Sequence, residues 1–445
     1  MQLEGLLTRL EGYDAATALV IGGQPYTYRE LDSRRLEWLH TLRKYGVQSG
    51  SVIGLKADYS VDSIALVLAL VIHQCVVGFI PLSASRDDGY LKDSQMQGVF
   101  RFSNADSWAW QDLQTSPDHP LLMKLKSEGT PGFVVFSSGS SGRPKAVLHS
   151  VERFLRKFQA PGKSFRTLAF LVFDHIAGID TLLYTLSNGG TLIVPDLRDP
   201  FSVCRLIQEE RVEVLPTSPT FLNMLCLSQA YKEFDLSSLK IITYGSEPMS
   251  QSGLDRLNKV FTNKKIIQKY GTSEFGAPRA RSRSNDSLWL ELKTDEVEAK
   301  VEGDRLWVKA DTAMLGYLNA PSPFDDEGWY CTGDVVERDG DWIRILGRES
   351  DIINVGGEKV HPSEVEAVIL ELPFVVDVLV RGEANPLTGQ IVAATVMVDT
   401  KIDERKLRRE IRRHCRGKLA PHKIPIRVEV GQTEVTTERQ KKFRR

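Results

Sequence analysis

Apolar residues recur along this chain in two alternating textures. Residues 27–45, TYRELDSRRLEWLHTLRKY, place Leu31, Leu39 and Leu42 near one face of a helix behind a threonine cap, and VIGLKA (52–57) then reads as a strand. The same order returns in SIALVLALVIH followed by VVGFIPL, in PFSVCRLIQEE followed by VEVLPTS, and in QSGLDRLNKVF followed by KIIQKYG. Helix-then-strand alternation predicts an α/β protein with largely parallel sheets. Residues 101–123 mix Ser, Asp, Gln and Pro without a clear period and read as a loop-rich connection.

The texture changes after Glu302. RLWVKA, WYCTGDVVERDG and DWIRILGR read as short strands with Asp-Gly turns, a β-rich subdomain. Beyond Arg348 comes a compact α+β set: SEVEAVILEL and ERKLRREIRRHCRGKL as helices, VVDVLVRG, IVAATVMVD and IRVEV as strands. The expected division is a large N-terminal domain over 1–349 and a small C-terminal domain over 350–445, joined by a hinge. With 445 residues the chain is too long for one hydrophobic core, which points the same way.

Composition narrows the class. The chain has 42% hydrophobic and 26% charged residues, which excludes collagen-like, disulfide-scaffold and wholly disordered proteins. The net charge of −1 disfavours a nucleic-acid binder, although residues 401–445 carry 16 Lys/Arg against 6 Asp/Glu. That basic end is either a solvated face or a dock for a polyanion. Cys75, Cys204, Cys226, Cys331 and Cys415 show neither a CxxC pair nor zinc-ligand spacing and read as core residues in a reducing compartment. The start MQLEGLLTRLEG lacks the form of a secretory signal, and His73, Gln74 and Gly78 interrupt the apolar stretch 63–82. A cytoplasmic protein without a membrane span is expected; oligomeric state is not legible.

Four stretches carry candidate chemistry, and a fifth, TTERQKKFRR, sets lysines at the extreme C-terminus. FSSGSSGRPKAV (136–147) follows the apolar FVVF: hydroxyls, glycine backbone and Lys145 suit phosphate oxygens, though the spacing is not that of a P-loop. Alone, such a stretch reads equally as a linker. YGTSEFG (270–276) offers an aromatic face, two hydroxyls and a carboxylate, a set able to stack a purine, touch a phosphate and hold Mg2+ through Glu274. YCTGD (330–334) with Gly347-Arg348 presents an acid and a base for vicinal hydroxyls, and NVGGEKVHPSEVE places a glycine turn before a helix.

In this order the five stretches resemble the adenylate-forming superfamily of acyl-CoA synthetases, amino-acid-activating domains and firefly-type luciferases. The resemblance spans roughly residues 20–445. It implies that Ser137, Ser138, Gly139, Ser140, Ser141, Gly142 and Lys145 form the phosphate loop, with Ala146 where the family has glycine. Tyr270, Gly271, Thr272, Ser273 and Glu274 match Tyr-Gly-x-Thr-Glu, with Glu274 the magnesium ligand, and Gly245, Ser246, Glu247 and Pro248 resemble the loop against adenine and the acyl group. Asp334 resembles the ribose-binding aspartate, Arg348 its helper and Ser350 the hinge. Lys441 falls where the family places its adenylation lysine, with Gln440 for the usual glycine and Lys442 alongside. The turn at Gly356 and Gly357, with Lys359 beyond it, is the implied approach for a pantetheine thiol.

The implied reaction uses ATP and Mg2+ to convert a carboxylic acid to its acyl-AMP with loss of pyrophosphate, then transfers the acyl group to CoA or to the phosphopantetheine of a carrier protein. Phe173, Asp174, His175 and Gly178, with Tyr244 and Gly245, sit where the family builds its acid pocket. Phe-His-Ile-like order resembles aryl and acyl ligases, whereas Phe-Asp resembles amino-acid activators. A histidine bonded at a strand end is the lesser alternative for His175, and Asp174 reads equally as a helix cap. The segment GRESDIINVGGEKVHPSEVE is most similar to that of free-standing acid–CoA ligases, which favours a non-amino acid. The short stretch before the phosphate loop favours small aryl or short acyl groups over very long fatty chains. A non-catalytic nucleotide- or carrier-binding protein is the alternative of a different class.

Overall fold

The computed structural model describes residues 2–103, 107–137, 143–292, 297–398 and 403–431. The chain forms two compact units. The first consists of Met1–Pro216, Gly271–Pro278 and Lys309–Gly328, the second of Thr217–Tyr270, Arg279–Val308 and Trp329–Arg445.

In the first unit the expected alternation is present and its ends are set by local chemistry. The helix Tyr28–Lys44 starts at a reciprocal cap: Thr27 Oγ1 accepts from the Glu30 amide at 3.1 Å and the Thr27 amide donates to Glu30 Oε2 at 2.6 Å. Ser60 and Ser63 cap Val61–Ile72 in the same reciprocal way. That helix is apolar on all sides and buried from Ser63 to Val71, as a helix inside a core must be.

Two sheets flank the core. In one, the strands run Gly316–Tyr317, Lys145–Ser150, Gly132–Ser137, Val76–Phe79, Val52–Lys56, Gly98–Phe102 and Trp108–Asp112. Its middle is parallel and its two ends are antiparallel, so the sheet is mixed rather than uniformly parallel. In the other, Thr17–Ile21, Thr191–Val194, Arg166–Leu168 and Val214–Thr217 are parallel neighbours, and Gln24–Thr27 folds back antiparallel. Leu19 and Leu192 from this sheet and Ile53, Val77 and Phe79 from the first share one core with the helix Val61–Ile72.

The stretch expected to be loop-rich holds a strand. In Trp108–Asp112 the tryptophans alternate with Ala109, and both rings pack on Phe100 (centroids 5.6 and 4.5 Å). Three residues of period-two pattern are too few to stand out from the polar sequence around them.

The second unit contains the parallel strands Ile241–Tyr244 and Lys265–Gln268, the helices Pro219–Ser228 and Gln251–Val260, and an antiparallel six-stranded sheet. The long hairpin of that sheet, Tyr330–Asp339 with Trp342–Arg348, sets Asp334 directly opposite Arg348. Residues 353–430 have their own sheet, with the helices Pro362–Ile369 and Glu404–Cys415 closing a core of Val360, Val365, Val378, Val396, Leu407 and Ile411. Among the described residues no helix is long and apolar enough to cross a membrane.

Phe173, read from sequence as an acid-pocket residue, is 1% exposed and packs on Tyr59 and Phe79 with centroids 4.6 and 5.5 Å away. Truncation there removes core contacts, so Phe173→Ala is expected to lower the unfolding free energy by about 3–5 kcal/mol. Chemical denaturation checks this; a stability within error of the parent would contradict its place in the core.

Candidate active site

In the first unit the site is built on an antiparallel hairpin. Gly132–Ser137 and Lys145–Ser150 pair so that Ser137 lies opposite Lys145, at the two ends of the Ser/Gly loop. Ser138, Gly139, Ser140, Ser141 and Gly142 lie outside the described residues. Lys145 is half-buried, and its Nζ sits 4.7 Å above the centre of the Tyr317 ring. Among the described residues it has no carboxylate partner, so the ring faces a cation free to meet an anion.

Tyr317 is reached because Gly316–Tyr317 adds to the edge of that hairpin, Tyr317 opposite Val147. Its hydroxyl donates to Glu274 Oε1 at 2.9 Å. Thus one tyrosine carries Lys145 on its face and Glu274 at its tip.

The turn bearing Glu274 is fixed through its own backbone. Thr272 and Gly276 exchange hydrogen bonds at 3.1 and 2.9 Å, and Thr272 Oγ1 accepts from the Glu274 amide at 3.2 Å. The Glu274 carbonyl accepts from the Met314 amide at 2.7 Å, and the Phe275 carbonyl from Thr312 Oγ1 at 3.0 Å. His149 Nε2 donates to the Ser273 carbonyl at 2.6 Å. Burial pushes the His149 imidazole down to about 4, so it is neutral at ordinary pH and the carbonyl fixes the proton on Nε2. Gly271 packs so closely on this turn that a Cβ would stand 2.3 Å from the Gly276 carbonyl oxygen.

Glu274 is 7% exposed, and its second carboxylate oxygen makes no hydrogen bond among the described residues. Those residues contain no group of three or more His, Cys, Asp or Glu able to hold an ion by themselves. A lone carboxylate completed by substrate phosphates and water is how Mg2+ is commonly held, so the donor set fits that ion.

In the second unit Asp334, 5% exposed, organises the other cluster. Tyr270 donates its hydroxyl to Asp334 Oδ2 at 2.5 Å, and Arg348 Nε lies 2.8 Å from Oδ1. Arg348 also donates to the Thr332 carbonyl at 2.9 Å, while Thr332 Oγ1 accepts from the Asp334 amide at 3.1 Å. Burial and the neighbouring carboxylate raise the Tyr270 phenol well above its usual range, which keeps it a donor. The Tyr-Gly-Thr-Ser-Glu motif is therefore shared: Tyr270 belongs to this unit, Gly271 to Glu274 to the first.

Gly245, Ser246, Glu247 and Pro248 follow the strand Ile241–Tyr244. Ser246 has φ +71°, a left-handed backbone uncommon for a residue with a Cβ and frequent at ligand-binding turns. Glu247 Oε2 accepts from Thr220 Oγ1 at 2.7 Å. Tyr244, like Phe173, is core: 2% exposed, with burial raising its phenol.

The remaining acid-pocket candidates separate by role. His175 caps the helix Ile176–Ser187, its Nδ1 accepting from the Ala177 amide at 3.3 Å, so the cap is His175 and not Asp174. Gly178 is where that helix meets the preceding turn; a Cβ there would lie 2.1 Å from the Val172 carbonyl oxygen and 2.8 Å from the Tyr59 hydroxyl. Asp174 and His175 are half-buried.

Ser350 is exposed in the short turn Glu349–Asp351. Gly356 and Gly357, with φ +62° and +93°, form the two-residue link between Ile353–Val355 and Glu358–Val360, a conformation that disfavours side chains. Lys359 is exposed on the second strand. Lys441 lies outside the described residues. Sequence reasoning missed Tyr317 and His149, which owe their places to pairing between distant segments and stand in no motif that marks them, and it passed over Thr332 inside YCTGD.

The AMP-binding enzyme family matches residues 7–318, and the C-terminal domain of AMP-binding enzymes matches 364–442. The long-chain-fatty-acid–CoA ligase FadD13 of Mycobacterium tuberculosis is 29% identical over 351 residues, covering 73% of this chain and 68% of that protein. The 2-succinylbenzoate–CoA ligase of Bacillus licheniformis is 27% identical over 319 residues, covering 66% and 64%. In structure, the anthranilate CoA ligase AuaEII in complex with anthranoyl-AMP has a TM-score of 0.83 at 19% identity, covering 99% of this chain and 95% of that one. MatB of Rhodopseudomonas palustris has a TM-score of 0.76 at 21% identity, covering 96% and 94%. The chain belongs to the AMP-binding enzyme family of adenylate-forming ligases.

Proposed function

We propose that this protein is an AMP-forming acid–thiol ligase that activates a non-amino carboxylic acid with ATP and passes the acyl group to the pantetheine thiol of CoA. The observation that carries the reading is the pairing on Tyr317: Lys145, without a carboxylate partner among the described residues, on the ring face and a buried Glu274 on the hydroxyl. A cation and a fixed carboxylate gathered on one tyrosine, next in sequence to a Ser/Gly-rich stretch, suit a polyphosphate.

In the first half-reaction the acid's carboxylate oxygen attacks the α-phosphorus of ATP, the bond to the bridging oxygen breaks, and pyrophosphate leaves. Negative charge grows on the phosphoryl oxygens. Lys145, the amides and hydroxyls of residues 137–142, and Lys441 are the groups proposed to stabilise it. Magnesium, held by Glu274 and the phosphates, supplies charge neutralisation when bound. In the second half-reaction the thiol attacks the acyl carbon and AMP departs. Movement of residues 350–445 about Ser350 would exchange Lys441 for the Gly356–Gly357 turn, since one centre must serve two chemistries. The turn's lack of side chains suits the close passage of a slender pantetheine arm.

Asp334 and Arg348 are assigned to the ribose, with Tyr270 against the base. Asp334 is already oriented by Tyr270 and Arg348, so two hydroxyls meet a fixed acceptor. The preference for a non-amino acid is supported by the relatives, named for fatty acids, 2-succinylbenzoate and a bicyclic propanoyl group. His175, committed to a helix cap, and Asp174 beside it remain candidate contacts to the acid. Buried, unpaired Cys75, Cys204, Cys226 and Cys415 suit a cytoplasmic setting. Transfer to a carrier protein instead of CoA is the competing reading, favoured by the basic helix Glu404–Cys415.

The test is ATP–pyrophosphate exchange with pooled fatty, aryl, dicarboxylic and amino acids, followed by mass spectrometry of the active pool with CoA. Exchange with a non-amino pool and a CoA thioester are expected. Exchange with amino acids alone, or none by folded protein, would overturn the reading. A second prediction concerns the ribose: Asp334→Ala should weaken ATP binding about 10- to 100-fold, the value of hydrogen bonds to a charged group. Binding of 2′,3′-dideoxy-ATP should change little, and an equal loss for both nucleotides would contradict the assignment.

A further inference from the structure

We infer that Asn319 and Asp93 are positioning residues that hold the backbone of Lys145 in place for the phosphates. The inference rests on the reading of Lys145 as a phosphate-binding residue and adds how that lysine is aimed.

The side chain of Asn319 bonds to both peptide groups that flank the Lys145 Cα. Its Oδ1 accepts from the Ala146 amide at 2.9 Å, and its Nδ2 donates to the Pro144 carbonyl at 2.9 Å. The same Nδ2 donates to Asp93 Oδ2, also at 2.9 Å. The orientation of the amide is therefore forced: Ala146 N can only donate, and Pro144 O and the Asp93 carboxylate can only accept. A flipped amide would face an N–H with an NH2 and two acceptors with an oxygen.

Asp93 ends the short helix Asp88–Asp93, and its side chain is only 8% exposed. It is shared between Asn319 and the residue that leaves the Ser/Gly loop. Arg143 Nε donates to Asp93 Oδ2 at 2.9 Å, and its Nη2 pairs with Oδ1. One carboxylate thus ties down Arg143, Pro144 by way of Asn319, and the start of the Lys145–Ser150 strand.

Asn319 stands two residues after Tyr317, the residue whose ring lies under Lys145 Nζ. One segment accordingly sets both ends of the lysine: Asn319 its backbone, Tyr317 its ammonium. A long flexible side chain aimed at phosphate loses rotamer freedom on binding, and fixing its root beforehand reduces that loss. The pattern has no mark in the sequence, because Asp93, Arg143 and Asn319 are brought together only by the fold.

The experiment is a double-mutant cycle read by equilibrium binding of ATP to the full chain. Asn319→Leu, similar in size but unable to hydrogen-bond, should weaken ATP binding about tenfold in the parent, comparable to a lost charge-linked hydrogen bond. In a Lys145→Ala background the same substitution should cost nothing more, because its effect passes through Lys145. Additive losses in the two backgrounds, or unchanged affinity of Asn319→Leu, would overturn the inference. Asp93→Asn gives a second cycle with the shape preserved, and it decides the matter should Asn319→Leu fail to fold. A smaller loss that vanishes without Lys145 is expected, and an additive one overturns the inference. Parent protein that binds no ATP would sink the proposed function instead, which keeps the two failures apart.

Discussion

A carboxylate almost wholly removed from water must be given partners, and in this protein that requirement falls on Glu274. Burial of a charged group costs several kcal/mol unless hydrogen bonds or a counter-charge offset it, on the order of what a whole domain has in reserve. Among the described residues the fold supplies one hydroxyl, from Tyr317, and under the proposed function the other oxygen meets a ligand. The turn around Glu274 is correspondingly rigid: the carbonyls of residues 273–276 are each engaged, by His149, Met314, Thr312 and Thr272. Under the proposed function that rigidity has a chemical purpose, because a preorganised charge does not have to be rearranged as phosphoryl charge develops.

The same economy of elements governs Lys145. Its strand, the Gly316–Tyr317 strand beside it and the hairpin turn of Glu274 all belong to one unit, so cation, ring and carboxylate share one framework. The cluster proposed to hold the nucleoside is built separately, on the long antiparallel hairpin that sets Asp334 opposite Arg348. A single five-residue motif contributes to both, Tyr270 to one and Glu274 to the other.

Much of this was legible before any coordinates. The capped helix after Thr27, the all-apolar helix after Ser60 and the strands after them follow from spacing and caps, and the stretches proposed to bind phosphate and nucleoside stand out because glycines, hydroxyls and charges gather where a chain otherwise alternates. What sequence could not separate was core from pocket. Phe173 and Tyr244 lie in segments read as acid-binding, yet both are packed away from solvent; an aromatic residue in an apolar run looks the same whether it lines a cavity or fills it. Asp174 and His175 were interchangeable as helix caps, and only the backbone decided for His175. Tyr317, His149 and Asn319 were invisible for a different reason, since their partners lie far away along the chain.

Under the proposed function Glu274 is a carboxylate that receives a cation arriving with nucleotide. Calorimetric titration of ATP into the parent protein and into Glu274→Gln, each with Mg2+ and with a chelator, tests that directly. Mg2+ should tighten ATP binding in the parent and have no such effect in Glu274→Gln, while the two bind metal-free ATP alike. An equal Mg2+ effect in both proteins would show that Glu274 does not hold the ion and would remove the centre of the account.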